Sequence, residues 1–355
     1  MPATSIDTFF ACSLMVLLVL SAMASTSKLL YPYIDYATDI NAAERYKKFS
    51  EYLLLNRGTP TGWGKNIQTI PASFGLATVS SDIPYDLDID KVSRLNIENL
   101  YAVSNAQIFS ALEMSDVTFK IEIKPVFNVK INLTSTYMET NRTVYQFRVL
   151  TEKDGAHVPS NLKSYTITEN RVETAGVYAS NGETYLNATL SNAVNEPALL
   201  VVFAESAYDN KLVSFNAYAF ADNSTLPEPN GTFLKLSPLN YTLTASFLNQ
   251  ATTLSNAYAF TFNYNLTLTP TRNNSESATY IIPYSADSSP MLLAVTGTNS
   301  STFFAEYTAY PQVPLQMGSD LENSEARSNV FAYTYLVTIN SAIYECTIWV
   351  GGPKE

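Results

Sequence analysis

The N-terminal stretch Thr8–Thr26, TFFACSLMVLLVLSAMAST, decides how the fold of this chain is interpreted, because it is uncharged over 19 residues. At a helical rise of ~1.5 Å per residue, this length matches the ~30 Å hydrocarbon core of a bilayer. A polar helical pattern continues from it to Leu55 without a turn signal. The pattern predicts a long apolar N-terminal helix that crosses a membrane or packs against other helices.

A cleaved secretory signal is the alternative interpretation of this stretch. Ser21, Ala22 and Ala24 are small residues of the kind that signal peptidase accepts. However, no Lys or Arg precedes the apolar run, and the helical pattern continues through the candidate cleavage site. Pro32 lies inside the pattern and predicts a kink. Gly58 suits the left-handed position that follows a helix end.

Length and charge narrow the classes of protein that fit. A chain of 355 residues exceeds one typical domain, so two folded units are expected after the helix. The net charge of −11 argues against nucleic acid as a partner, since phosphate binding needs a concentrated basic surface. Cys12 lies in the apolar run and Cys346 near the C-terminus, so they are expected on opposite sides of a membrane or far apart in an assembly and give no disulfide framework. Both are interpreted as packing residues.

A connector with turn chemistry follows the helix at residues 58–115. It contains a turn around Trp63, a helix that begins near Asp88 or Asp90, and a second short helix after Ser104. A calcium loop is the alternative interpretation of four aspartates in this segment, Asp82, Asp86, Asp88 and Asp90. Counting from Asp86, Lys91 occupies the place where an EF-hand loop requires glycine, so no metal site is predicted.

From residue 116 onward the apolar residues alternate, which is typical of half-buried strands. The clearest segments are 117–125 and 127–134. Seven short strands up to residue 220 fit an immunoglobulin-like sandwich. A Pro-containing linker at 221–231 separates them from a second set of strands, which a hairpin of 331–339 and 342–350 closes after an irregular loop at 310–328.

The fold class predicted from these patterns is α+β overall, with a long N-terminal hydrophobic helix followed by two immunoglobulin-like β-sandwich domains. The predicted divisions are a helix at 1–57 kinked near Pro32, a connector at 58–115, a sandwich at 116–220, a linker at 221–231 and a second sandwich at 232–355.

The residues that carry chemistry in enzymes are scarce in this chain. His157 is the sole histidine, lies in a predicted turn, and is interpreted as a solvated loop residue. One histidine and two separated cysteines do not make a cysteine dyad or a typical zinc site. No phosphate-binding GxxxxGK[ST] or dinucleotide-binding GxGxxG motif is present. We therefore predict no catalytic residue, no cofactor and no metal, and a protein that is not an enzyme.

Four motifs in order give a resemblance to a known family. SIDTFF at 5–10, NRGTPTGWG at 56–64, PASFGLA at 71–77 and DIDKVSRLN at 88–96 resemble the N-terminal region of archaeal type IV pilin-like surface proteins. The resemblance implies a helix that is first a membrane anchor and then, after processing by a prepilin peptidase, part of a filament core. The residues it assigns to this helix surface are Phe9, Phe10, Leu14, Met15, Leu17, Leu18, Val19 and Leu20.

The N-terminus leaves three alternatives open. Only three residues precede Thr4, and none is the basic residue that such precursors usually carry. The true start lies upstream, or Met1 is close to the mature terminus, or no processing occurs. Asp7 matches the acidic residue near a mature pilin N-terminus, with solvation at the membrane interface as the alternative role. Cations such as Lys28 follow the span and favour a cytoplasmic C-terminal side, but large domains translocate largely regardless of charge.

Nine N-glycosylation sequons fall between residues 132 and 301, whereas roughly six are expected by chance from the Asn, Ser and Thr content. Their absence before residue 132 agrees with an exposed distal region. The candidate glycosylation residues are Asn132, Asn141, Asn187, Asn223, Asn230, Asn240, Asn265, Asn273 and Asn299.

These observations favour a structural subunit of an extracellular type IV pilus-like filament that displays glycosylated sandwiches for adhesion or surface interaction. The expected partners are copies of itself through the N-terminal helix, the cytoplasmic membrane before assembly, other pilins, and glycan or cell-surface ligands, but no nucleic acid. The alternative is a non-polymerising membrane-anchored extracellular protein that binds a glycan, peptide or protein. An enzyme that uses distant paired carboxylates is the third hypothesis.

Overall fold

The computed structural model describes residues 15–21, 23–24, 26, 28, 41–112, 117–193, 195–222, 225–284, 290–319, 321 and 330–351. Residues 15–21 are helical, and three further helices follow: α1 at residues 41–55, α2 at Ile89–Ser93 and α3 at Asn105–Leu112. The rest of the regular structure in the described residues consists of β-strands.

The strands are numbered in chain order. They are β1 (Asp86–Leu87), β2 (Thr118–Pro125), β3 (Asn128–Glu139), β4 (Arg142–Lys153), β5 (Ala156–His157), β6 (Ser160–Ile167), β7 (Val172–Ala179), β8 (Glu183–Ser191), β9 (Pro197–Ser206), β10 (Val213–Ala221), β11 (Leu234–Leu239), β12 (Thr242–Phe247), β13 (Thr252–Phe260), β14 (Asn265–Thr267), β15 (Thr269–Asn273), β16 (Ser277–Ile281), β17 (Met291–Asn299), β18 (Thr302–Tyr310), β19 (Leu315–Gly318), β20 (Val330–Ile339) and β21 (Ala342–Gly351).

The two ends of the described chain meet in one unit, which we call the base unit (residues 41–125 and 313–351). Its sheet has the order β1-β20-β21-β2-β19. All of β2 pairs with β21, the second strand of the C-terminal hairpin. The amphipathic helix α1 buries Tyr46, Phe49, Leu53 and Leu54 against this sheet and the connector. The base unit therefore encloses a hydrophobic core of its own.

The first sandwich comprises β3–β10. Strands β3, β4 and β8 form one sheet, and the facing sheet has the order β10-β9-β6-β7. Alternate residues of both sheets, such as Phe147 and Val202, fill the core between them.

The second sandwich comprises β11–β18 and repeats this arrangement. One sheet has the order β11-β12-β16-β15, and the other has the order β14-β13-β17-β18. Read from its last strand, the second sheet is β18-β17-β13-β14, which is the strand order of β10-β9-β6-β7 in the first sandwich.

The two equivalent sheets pack face to face, so the sandwiches form four layers. Leu199, Val201 and Phe203 of β9 meet Leu292 and Ala294 of β17 in a separate core. The neighbouring residues of both strands point into their own sandwich instead. Both strands are buried on both faces, which explains their continuous apolar runs PALLVVFA and MLLAV.

A truncation in this shared core tests the four-layer packing. Val201→Ala removes two methyl groups from a fully buried side chain and is expected to lower the free energy of unfolding by about 2 kcal/mol. Chemical denaturation monitored by circular dichroism measures the change. Val79→Ala removes the same atoms from an exposed position and serves as the control. Equal small effects at both positions would show that the outer face of β9 is uncovered in solution.

The predicted fold class, α+β with a long apolar N-terminal helix, is wrong. The described residues are predominantly β-structure, and none of their helices is both long and apolar enough to cross a membrane. The helix that the chain does build at 41–55 is amphipathic, because its apolar residues are used to cover the base sheet. The predicted kink at Pro32 lies outside the described residues.

Several local predictions are confirmed, whereas the position of the C-terminal hairpin differs from the prediction. Asp88 caps α2, α3 follows Ser104, and Gly58 has a φ of +67°. Strands occupy the two predicted alternating segments as β2 and β3, but β2 belongs to the base sheet and not to the sandwich predicted at 116–220. The C-terminal hairpin forms at the predicted residues, but it belongs to the base sheet rather than to the second sandwich. The predicted loop at 310–328 contains β19, which also joins the base sheet.

Candidate assembly site

The apolar helical stretch at residues 15–20 presents its side chains to the outside. Met15, Val16, Leu17, Leu18, Val19 and Leu20 are between 51% and 71% exposed, and Met23 is similarly exposed. Elsewhere in the described chain, most buried apolar side chains belong to four clusters, and exposed ones such as Leu226 occur outside them. An uninterrupted apolar surface of this kind is typical of a surface that another molecule covers.

Five of the residues predicted for a filament core belong to this stretch. Met15, Leu17, Leu18, Val19 and Leu20 all lie within residues 15–21, which are helical. The other predicted positions, Phe9, Phe10, Leu14 and the acidic Asp7, lie outside the described residues.

Helix α1 is attached to the base sheet by aromatic and polar contacts. The ring centroids of Tyr46 and Phe331 are 5.7 Å apart, as are those of Phe49 and Phe119. The Tyr333 hydroxyl donates a 2.6 Å hydrogen bond to the Ala43 carbonyl oxygen. The Ser50 and Tyr335 hydroxyls lie 2.6 Å apart. These contacts bind α1 to β20, the first strand of the C-terminal hairpin, and to β2.

Trp63 is the centre of the connector and is fully buried. Its indole N–H donates to the Gly75 carbonyl oxygen at 3.2 Å. The Arg94 guanidinium lies 5.6 Å from its ring centroid and the Lys91 ammonium 5.9 Å from it, so two cations flank one aromatic ring.

Arg94 holds two connector segments, residues 63–69 and Tyr101, together through backbone carbonyls. One of its terminal nitrogens, Nη1, donates to the oxygens of Trp63, Asn66 and Thr69 at 2.5, 2.9 and 2.9 Å, and Nε donates to Tyr101 oxygen at 2.9 Å. Arg94 is 3% exposed. Burial lowers its pKa from the ordinary value, but the partial charges of the carbonyl oxygens surround its charge.

Lys91, which also lies beside the Trp63 ring, binds backbone carbonyls in a similar way. Its ammonium donates to the carbonyl oxygens of Arg57 at 2.6 Å and Ala77 at 2.7 Å. Burial lowers its pKa to about 8, while the nearby Asp88 carboxylate acts in the opposite direction. Gly64 permits this packing, because a Cβ there would lie 2.6 Å from the backbone nitrogen of Lys91.

Asp90 joins the base unit to the second sandwich. Its Oδ1 atom accepts hydrogen bonds from the Tyr310 hydroxyl and the Asn240 backbone N–H, both at 2.7 Å. Its Oδ2 atom is buried and has no hydrogen-bond partner. Burial raises the pKa of this carboxyl to about 6, although both hydrogen bonds favour the charged form. Nearby, Asn99 donates to the oxygens of Pro238 and Gln312, which extends the same junction.

The raised pKa of Asp90 predicts a dependence of stability on pH. The folded protein binds the proton of Asp90 more tightly than the unfolded chain does, because the pKa rises from 3.8 to about 6. Its contribution of about 3 kcal/mol is complete below the unfolded pKa and is lost as pH rises through the folded value. Asp90→Asn is expected to remove this part of the profile when the free energy of unfolding is measured from about pH 7 down to about pH 4.

The matched control is Asp82→Asn, because that carboxylate is almost fully exposed and pairs only with Arg57 at the surface. Asp82→Asn is expected to leave the difference in stability between the two pH values unchanged. If Asp90→Asn also left the difference in stability between the two pH values unchanged, Asp90 would not be buried at the junction as described.

A cleft with a volume of about 510 Å³ lies where the three units meet. Most of its polar side chains are already hydrogen-bonded within the protein. Asn216 donates to Val129 oxygen, Asn230 pairs with the backbone of Tyr307, and Glu306 accepts from the backbone N–H groups of Phe233 and Leu234. The cleft therefore consists of structural contacts more than of groups arranged for a ligand.

The residues considered for metal binding and catalysis have other roles. Asp82 pairs with Arg57, Asp88 caps α2, and Asp90 bonds to the second sandwich. Within the described ranges, no group of three or more His, Cys, Asp or Glu residues is placed to hold a metal ion. His157 is exposed, with Nδ1 2.9 Å from the Asn181 carbonyl oxygen. Burial raises the pKa of the Cys346 thiol to about 12, so this thiol is unreactive.

No protein-family model matches this chain, and no curated protein matches its sequence. The resemblance to archaeal type IV pilin-like proteins therefore stays a prediction from the motifs themselves. The structure gives one of those motifs a physical reason. In DIDKVSRLN, Asp88 caps a helix, Asp90 bonds to the second sandwich, and Lys91 and Arg94 enclose Trp63.

Proposed function

We propose that this protein is a structural subunit of an extracellular pilus-like filament, and that its copies assemble through the apolar helical stretch at residues 15–20. The observation that carries the proposal is the exposure of six consecutive apolar side chains in a helix. Copies of the same chain offer equally apolar surfaces, so association would remove these side chains from water or lipid by helix packing.

The build of the base unit supports the same proposal. A subunit in a filament must pass mechanical load from its assembly helix to its displayed domains. Here α1 packs against the base sheet, and the base sheet contains both the first strand after the connector and the C-terminal hairpin. The hydrogen bonds of Asp90 and Asn99 connect this unit to the second sandwich.

A filament also requires contacts that do not close on themselves. Heterologous contacts between one face of a helix and a different face of the next copy generate an open helical array. The two sandwiches then lie outside the core and form the displayed surface, where adhesion or other surface contacts take place.

Isolated surface filaments test the proposal. Filaments are sheared from producing cells, purified by density and seen by electron microscopy, and their polypeptides are identified by mass spectrometry. The proposal expects this chain to be a stoichiometric component. Filaments that lack the chain, together with detergent-extracted protein that stays monomeric after detergent removal, would instead support a membrane-anchored binding protein.

A further inference from the structure

The base unit contains no sequon, which the linear sequence does not reveal. The base unit takes up residues 41–125 and 313–351, from opposite ends of the chain, and neither segment contains a sequon. All nine sequons lie between these segments. The segregation follows the three-dimensional units rather than distance from the N-terminus.

Two sequons share one open face of the first sandwich. In the register of the sheet, Asn132 of β3 pairs with Arg148 of β4, and Asn187 of β8 pairs with Gln146 of β4. Because Gln146 and Arg148 are two residues apart, both asparagines point to the same side of the sheet. Ile131 and Leu186, which precede the two asparagines in their strands, point into the core. The face with the asparagines is therefore the outer one.

Two other sequons have surroundings that disfavour modification. The Asn230 amide donates to the Tyr307 carbonyl oxygen at 2.9 Å and accepts from the Tyr307 N–H at 2.8 Å. A sugar attached to Nδ2 replaces the Nδ2 hydrogen that lies on the same side as Oδ1. The paired contact with the Tyr307 backbone requires this hydrogen. Asn299 is half-buried, and its Oδ1 atom is enclosed without a partner. A sugar on Asn230 would therefore break its paired contact with Tyr307, and Asn299 is less open to solvent than Asn132 or Asn187.

We propose that Asn132 and Asn187 are N-glycosylation sites and that Asn230 and Asn299 remain unmodified. Both modified asparagines are exposed and belong to complete Asn-x-Thr sequons. The inference rests on the proposed function only in placing the sandwiches outside the cell. Oligosaccharides on both sides of β4 keep this face in solvent, so copies of the chain do not pack together through it.

The modification is a group transfer from a lipid-phosphate-linked oligosaccharide. The bond between the sugar C1 and the phosphate oxygen breaks, and a bond forms between C1 and Nδ2 of asparagine. Nδ2 gives up one proton, and the lipid phosphate leaves with the electron pair of the broken bond. No oxidation or reduction occurs. The hydroxyl at the third sequon position, which is Thr134 or Thr189 here, completes the acceptor motif.

Peptide-level mass spectrometry of the full chain, isolated from the cells that produce it, tests the inference. The expected result is an oligosaccharide mass on the peptides of Asn132 and Asn187 and none on those of Asn230 and Asn299. Asn187→Gln and Thr189→Ala should each remove one oligosaccharide from the intact mass, whereas Thr189→Ser should retain it. Unmodified Asn132 and Asn187, or equal modification of Asn230 or Asn299, would overturn the inference.

The same preparations separate this inference from the proposed function. Filaments built from an unmodified chain would overturn the glycosylation inference and leave the filament proposal standing. A glycosylated chain that never assembles would overturn the filament proposal and leave the glycosylation inference standing.

Discussion

Replacing Leu18 with Glu is expected to abolish filament formation while leaving the folded units intact. Leu18 is in the middle of the exposed apolar stretch, so a carboxylate there adds no charge to any hydrophobic core of the subunit. In an assembled filament it would be enclosed by apolar side chains of other copies, which costs several times the free energy gained by burying one leucine. Electron microscopy of cell surfaces and the yield of sheared filaments measure the loss.

The matched control is Leu226→Glu, which makes the same chemical change at an exposed position in the linker before the second sandwich. This variant is expected to assemble normally. Circular dichroism of both proteins checks that they are folded. If the Leu18→Glu variant formed normal filaments, the apolar stretch would not be part of the assembly contact.

Replacing Arg94 with Met has the largest expected effect on folding. The change removes the guanidinium donor from four backbone carbonyl oxygens, of which that of Asn66 keeps a bond from the Thr69 N–H, and it removes a cation from the ring of Trp63. Since some of these oxygens can regain water, we expect a loss of about 3–5 kcal/mol in the free energy of unfolding. Arg94→Lys is expected to recover a minor part, because one ammonium cannot reach all four oxygens.

Tryptophan fluorescence reports on this region directly. The chain has two tryptophans, so Trp349→Phe leaves the buried Trp63 as the sole reporter. In this background, Arg94→Met should shift the unfolding transition of Trp63 to lower denaturant. Arg57→Met is the control: its exposed pair with Asp82 is worth under about 1 kcal/mol. Similar small shifts for both variants would refute the structural role of Arg94.

Local features were predictable from the sequence because their causes are local. Alternating apolar residues define β2 and β3, and Asp88 precedes a short helical segment that it caps. The runs in β9 and β17 contain a further signal: strands with apolar residues on both faces need cover on both sides. This signal points to a face-to-face packing of the sandwiches, although it does not say which sheets meet.

The arrangement of the units was not predictable because its causes are distant in sequence. Ile121 of β2 pairs with Ile348 of β21, more than 200 residues away. The sequence of neither strand identifies the other as its pairing partner. Asp90 looked like a helix cap or a calcium ligand, since its actual partners Asn240 and Tyr310 belong to another unit. The error in fold class has the same origin. From sequence alone, α1 is interpreted as a continuation of the apolar stretch, because the sheet that it covers is formed by residues distant in the chain.

Helical reconstruction of the isolated filaments by electron cryomicroscopy tests the central claim most directly. The account predicts that Met15, Leu17 and Leu18 of each subunit contact the same stretch or α1 of neighbouring copies. It also predicts that both sandwiches lie outside this core, with Asn132 and Asn187 facing solvent. A reconstruction in which residues 15–20 contact no other copy, and the subunits are joined only through their sandwiches, would contradict it.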